Sequence, residues 1–162
     1  MCLSFFHSEE TLGAFLPVRE FKLTAFEHGG GYGTNGFTAI SASVERTEQR
    51  IVEAAAQGTR VPLALHCCLS DYWFADPMEG LQEKIKGIEK ARAAFRFLPV
   101  GCGSLNEAVW QSFSGKQPGI KLDDFSILPF FFQLVASHFS QASRSRPGET
   151  VPPIDVSGLK GE

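Results

Sequence analysis

The stretch Thr59-Arg-Val-Pro-Leu-Ala-Leu-His-Cys-Cys-Leu-Ser-Asp-Tyr-Trp-Phe-Ala-Asp76 decides the fold. Val61, Leu63, Leu65 and Cys67 fall at every second position, the period of a strand with one face in a core. The residues between them, Ala64, His66 and Cys68, are small or mildly polar, so the second face is also suited to being covered. Directly after the apolar run come Ser70, Asp71, Tyr72, Trp73 and Asp76, the densest group of chemically capable side chains in the chain. Open α/β sheets place ligands beyond the carboxyl ends of their strands, so this exit is the first place to look for a site.

Upstream, Ser43 suits a helix N-cap, and Val44, Thr47, Ile51 and Ala54/Ala55 recur at three- or four-residue spacing until Gly58 ends the pattern. Before that, Arg19–Glu27 alternates, with Phe21, Leu23 and Ala25 against Lys22, Thr24 and Phe26. Phe37–Ala42 reads as a second short strand. The glycine-rich stretch His28-Gly-Gly-Gly-Tyr-Gly-Thr-Asn-Gly36 between them ends in the hairpin dipeptide Asn35-Gly36, so an N-terminal antiparallel hairpin is expected. The helix at 44–57 and the strand at 61–68 then make a crossover of right-handed βαβ type.

Downstream, Asp76-Pro77-Met78-Glu79 has the order of a helix start, and Leu81, Ile85, Ile88 and Phe95 form the stripe of the next helix. Phe97–Val100 suits a short strand that Pro99 restricts to an edge or an end. Ser104 is a candidate cap for a helix carrying Leu105, Ala108, Val109 and Phe113. The last helix, 127–139, shows almost no polar face, which places it centrally or against another chain. The expected fold is α/β or α+β: a mixed sheet of four to five strands, an N-terminal hairpin followed by βαβ crossovers, packed by three to four helices. Residues 1–142 are expected to form a single globular domain, and 143–162, rich in Ser, Arg, Pro and Gly, a flexible C-terminal tail or arm.

Net charge is −3 with both signs mixed along the chain, which gives no electrostatic footprint for nucleic acid or an anionic membrane. No apolar run reaches bilayer-spanning length. Four cysteines without zinc-type spacing fit free thiols in a reducing, cytoplasmic setting. The chain holds 15 Phe against 2 Tyr and 2 Trp, a surplus of rings that suits a core with an oligomer face, and a homo-oligomer is expected.

Three chemistries compete. The first is a small soluble, non-catalytic binding or accessory protein with a pocket for a small organic ligand or a partner chain near the end of the 61–68 strand. Its candidate residues are His28, Tyr32, Asn35, His66, Asp71, Tyr72 and Trp73, because aromatic rings beside a carboxylate suit an amine or a flat ligand. The second is a small hydrolase or transferase with His66 assisting Cys68 or Cys102 and Asp71 orienting the ring. The helix start near Cys102 would lower its thiol pKa in that reading. The third is an oligomeric interaction protein using the Phe-rich helix. No metal or cofactor is expected.

Overall fold

Within the quoted stretch, Ala64–Ser70 is the first strand of a parallel sheet that has three strands among the described residues. The computed structural model of the chain describes residues 35–146, 149 and 151–155, and two short strands near the N-terminus, Phe5–Phe6 (β1) and Glu10–Thr11 (β2), which pair antiparallel. In order follow α1 (Gly36–Ala56), β3 (Ala64–Ser70), α2 (Leu81–Ala91), β4 (Phe95–Cys102), α3 (Glu107–Ser112), β5 (Ile120–Leu122) and α4 (Leu128–Arg144). The described chain is therefore mixed α/β, with its main sheet in the order β3-β4-β5 and four helices about it.

Alternation along β4 explains the layering. Phe95 and Phe97 face one way and meet Ile40 and Val44 of α1, Leu81, Ile85 and Ile88 of α2, and Phe113 at the end of α3. Leu98 and Val100 face the other way, with Ile120 and Leu122 of β5, against Phe131 and Val135 of α4. A strand covered on both faces reads as a continuous apolar run, and β4 does.

The helix α1 corrects the expected hairpin. Phe37–Ala42 is helical, and Asn35-Gly36 is the start of α1, not a turn between strands. The physical reason lies 39 residues away: Asp76 Oδ2 accepts hydrogen bonds from the Phe37 and Thr38 N–H groups at 2.9 and 3.3 Å. A carboxylate at that position satisfies helix-start donors and complements the helix dipole. Asp76 thus caps α1, not the helix that follows it in sequence. That helix, α2, starts at Leu81 after Gly80, whose φ of 80° is left-handed. The other half of the expected hairpin, Arg19–Glu27, lies outside the described residues.

Pro99 is not at an edge of the sheet but buried in β4, opposite Cys68 of β3. In an extended strand the N–H and C=O of one residue point off the same edge. The Pro99 carbonyl accepts from the Trp110 indole N–H at 3.2 Å, so the missing N–H also falls on that edge, away from β3. Pairing with β5 begins only at Val100, opposite Ile120, so no ladder bond is lost. Two residues earlier the same edge is satisfied by a side chain: the Phe97 N–H donates to Glu89 Oε1 at 3.0 Å. Glu89, only 3% exposed, also accepts from the Lys116 N–H at 3.1 Å. A Cβ at Gly115 would stand 2.2 Å from Glu89 Oε2, so the turn needs glycine there for the carboxylate to reach.

Two further expectations shift. The cap of α3 is Asn106, whose side chain accepts from the Val109 N–H, and Ser104 lies outside the helix. Helix α4 is not buried all round: Phe131, Val135, His138 and Ala142 are buried on one face, while the apolar Phe130 and Phe132 project outward. Beyond α4, Arg60 donates to the Ser145 and Arg146 carbonyls, and Val151 and Ile154 are buried. Gln117 and the Ile154 backbone exchange two hydrogen bonds, which hold the described residues 151–155 against the sheet layer. Among the described residues no helix is long and apolar enough to cross a membrane.

Glu89→Ala leaves the Phe97 and Lys116 N–H groups inside the protein without an acceptor. It is expected to lower stability by about 3 kcal/mol in urea unfolding, whereas Lys86→Ala, on the exposed side of the same helix, should change it by about 0.5 kcal/mol or less. Equal losses for the two variants would show that the carboxylate does not hold the edge of β4.

Candidate functional site

The C-terminal edge of the parallel sheet is built from two loops, one leaving β3 and one leaving β4. They are laced together by their backbones and one indole. The Asn106 N–H donates to the Asp71 carbonyl at 2.8 Å, and Trp73 Nε1–H donates to the Ser104 carbonyl at 2.7 Å. Asp71 Oδ1 also accepts from the Trp73 N–H at 3.2 Å, which closes an Asx turn across the tip.

Between Asp71 and Trp73 the backbone turns through a left-handed conformation: Tyr72 has a φ of 60°, the one non-glycine residue with positive φ among those described. That geometry costs on the order of 1 kcal/mol or more for a bulky residue and persists only where the surroundings impose it. Here they do. The Tyr72 ring is fully buried, 5.5 Å from Phe74 and 5.8 Å from Phe113, and its hydroxyl donates to the Cys68 carbonyl at 3.0 Å. The Tyr72 N–H donates to Ser70 Oγ at 3.0 Å. The turn sends adjacent aromatic residues opposite ways, Tyr72 into the core and Trp73 into solvent, 62% exposed.

The structure distributes the other expected site residues as follows. Asp71 is exposed beside Trp73 at the sheet edge. Asn35 sits at the N-cap of α1, which Asp76 ties to the exit of β3. His66 is one strand turn back from the edge, stacked on Phe97 with ring centres 5.2 Å apart and planes 13° from parallel. Part of its residue surface still reaches solvent, but burial dominates and lowers its pKa to about 4. Neither nearby carboxylate orients it: Asp71 serves the tip and Asp76 serves α1. His28 and Tyr32 lie outside the described residues.

The thiols are the opposite of activated. Burial pushes Cys68 up to about 12, and burial together with the Asp71 charge raises Cys102. The expected lowering at Cys102 fails because α3 begins only at Glu107, and the nearer charge is a carboxylate. Among the described residues no group of three His, Cys, Asp or Glu side chains converges as a metal site.

Two contributors escaped the sequence reading. Ser104 and Asn106 tether the tip through backbone groups, which no side-chain pattern signals. The glycine stretch also leads into a helix, so Gly31, Gly33 and Gly36 carry the spacing of a nucleotide-binding fingerprint. At Gly36 a Cβ would fall 2.2 Å from the Phe74 ring, so glycine is required there for packing. The anion position at the start of α1 is already held by the Asp76 carboxylate.

Comparison with protein-family models, with curated proteins and with solved structures found no match.

His66 takes up a proton more readily in the unfolded chain, near pH 6.5, than in the fold, near pH 4. Its contribution to stability is complete above pH 6.5 and is lost as the pH falls toward 4. Burial and the Arg96 charge lower His138 as well, so it acts in the same direction. Between pH 7 and 4.5 the protein is expected to lose stability, with His66 accounting for on the order of 2 kcal/mol. His66→Phe should flatten that slope in urea melts at the two pH values; an unchanged slope would place the titration elsewhere.

Proposed function

We propose that this chain is a small non-catalytic binding protein whose site is the sheet edge at Asp71 and Trp73, and that its ligand is a flat or cationic amine. The observation that carries this reading is Trp73: a large ring, mostly in solvent, whose indole N–H is tied to Ser104. With its donor engaged, the ring offers a face and not a hydrogen bond, and an aromatic face beside a carboxylate attracts organic cations. The tip is held at both ends before any ligand arrives, so little ordering entropy opposes binding. A shallow hollow of about 290 Å³ between Phe37, Thr38, Asp76, Pro77 and Glu79 repeats the same chemistry on the α1 side of the β3 exit. The thiol-assisted hydrolase or transferase is disfavoured by the raised Cys68 and Cys102. Free Cys67, Cys68 and Cys102 suit a cytoplasmic setting.

A thermal-shift and fluorescence screen of aromatic and quaternary amines tests this reading. Trp73→Ala should cost about 1 kcal/mol or less, the worth of one hydrogen bond on a surface residue, while abolishing any hit. A loss of several kcal/mol with no hit from the parent would leave Trp73 a structural residue and no site.

A second reading rests on α4. Phe130 and Phe132 are 68% and 49% exposed, large rings that a second copy of the chain would cover. Sedimentation at micromolar concentration should show a homo-oligomer, and Phe132→Asp should convert it to monomer without unfolding it. A parent that sediments only as monomer would remove this reading.

A further inference from the structure

We propose that the seam between α4 and the N-terminal ends of β3 and β5 is a recognition site for extended peptides of the pattern apolar-Pro-Pro-apolar. The chain's own Val151-Pro-Pro-Ile154 is its tethered occupant. This surface is separate from the tip at Asp71 and Trp73 and does not rest on the function proposed for that tip.

The prolines decide the backbone of the segment. Each fixes its own φ near about −65° and drives the residue before it away from helical conformations. Val151 through Pro153 are therefore held close to polyproline II, with about three residues per turn. Burial follows that period: Val151 and Ile154 are 7% and 4% exposed, while Pro152 and Pro153 between them face solvent.

The seam meets that pattern at three points. Val151 joins a cluster with Leu63, just ahead of β3, and Ala142 of α4. Ile154 joins the cluster that holds Ile120 and Leu122 of β5 with Phe131 and Val135 of α4. Leu65 and Phe139 pack against both clusters, so the two pockets share a wall that includes an aromatic ring. A three-residue step of polyproline II advances about 9 Å, close to the two strand spacings, about 10 Å, between β3 and β5. The third point is Gln117, only 1% exposed. Its Oε1 accepts from the Ile154 N–H at 2.9 Å, and its Nε2 donates to the Ile154 carbonyl at 3.5 Å. A side-chain amide that pairs with both backbone groups of one residue recognises main chain and not a particular side chain. Grooves with aromatic walls bind proline-rich peptides in this extended form. Nothing in the three contacts requires the peptide to belong to this chain.

A tethered ligand acts at an effective concentration in about the millimolar range, so a free peptide at micromolar concentration gains the site only when the arm vacates it. The test uses the full chain carrying Ile154→Asp, whose arm bears a charge that an apolar pocket rejects, and a fluorescein-labelled peptide Thr-Val-Pro-Pro-Ile-Asp. Anisotropy should show saturable binding at least about tenfold tighter to the variant than to the parent, and no binding of a peptide whose Ile is replaced by Asp. A folded variant that does not bind the peptide would overturn the proposal, as would equal affinity for the two chains or for the two peptides. Hydrogen exchange on the parent decides the matter if the variant does not fold. There the Ile154 N–H should exchange at least about tenfold faster than the Leu98 N–H of β4. Peptide at millimolar concentration should speed Ile154 a further threefold, roughly, and leave Leu98 unchanged. Equal rates at the two amides, or no response to peptide, would make the arm a fixed part of the fold and sink the idea. A parent dimer that Ile154→Asp converts to monomer would also sink it, since the arm would then be an element exchanged between copies.

Discussion

The strand β4 is the constraint on which the rest depends. Both its faces are buried, so a layer must cover each, and α1, α2 and α3 on one side and α4 on the other do so. Its outer edge is paired by β5 only from Val100 onward. The backbone groups before that point cannot be left dry and unpaired inside the protein. Glu89 and Trp110 take them, and each requires a glycine in the connection ahead of β5: Gly115 beneath the carboxylate and Gly119 beneath the indole, where a Cβ would stand 2.8 Å from the ring. One short strand thus dictates a buried acid, a proline in mid-sheet, and two small residues in a turn.

What the sequence made legible was whatever a local pattern can carry. The alternation through Leu63, Leu65 and Cys67 and the stripe Leu81, Ile85, Ile88 identify β3 and α2 because each period is repeated. Phe37 and Ala39, two apart, match a strand over so short a span, and the cap that makes them helical comes from Asp76 in a distant loop. A local window does not see that partner. Pro99 misled for a related reason: the rule against proline in mid-sheet assumes neighbours along the whole strand, and β5 is three residues long.

At the exit of β3, the sheet-end rule points to Asp71, Tyr72 and Trp73 together and has no means of separating Tyr72 from Trp73. Their roles are divided by a single backbone dihedral, imposed by the packing of Phe74 and Phe113 around Tyr72. His66 is a candidate for binding in the sequence, with assistance to a thiol as the alternative; on the strand its ring is stacked on Phe97.

The left-handed turn at Tyr72 joins two properties that proteins usually keep apart. Trp73 faces outward only while the Tyr72 ring stays seated beneath it, so the pose of the surface residue is set by the integrity of the interior. Any loosening of the layer around Phe113 frees the backbone to relax toward an ordinary conformation, and that rotation carries the indole off Ser104. The tip therefore acts as a lever whose fulcrum is buried. A substitution at Phe74 or Phe113, packed in the core around Tyr72, is thereby transmitted to the pose of Trp73 at the surface.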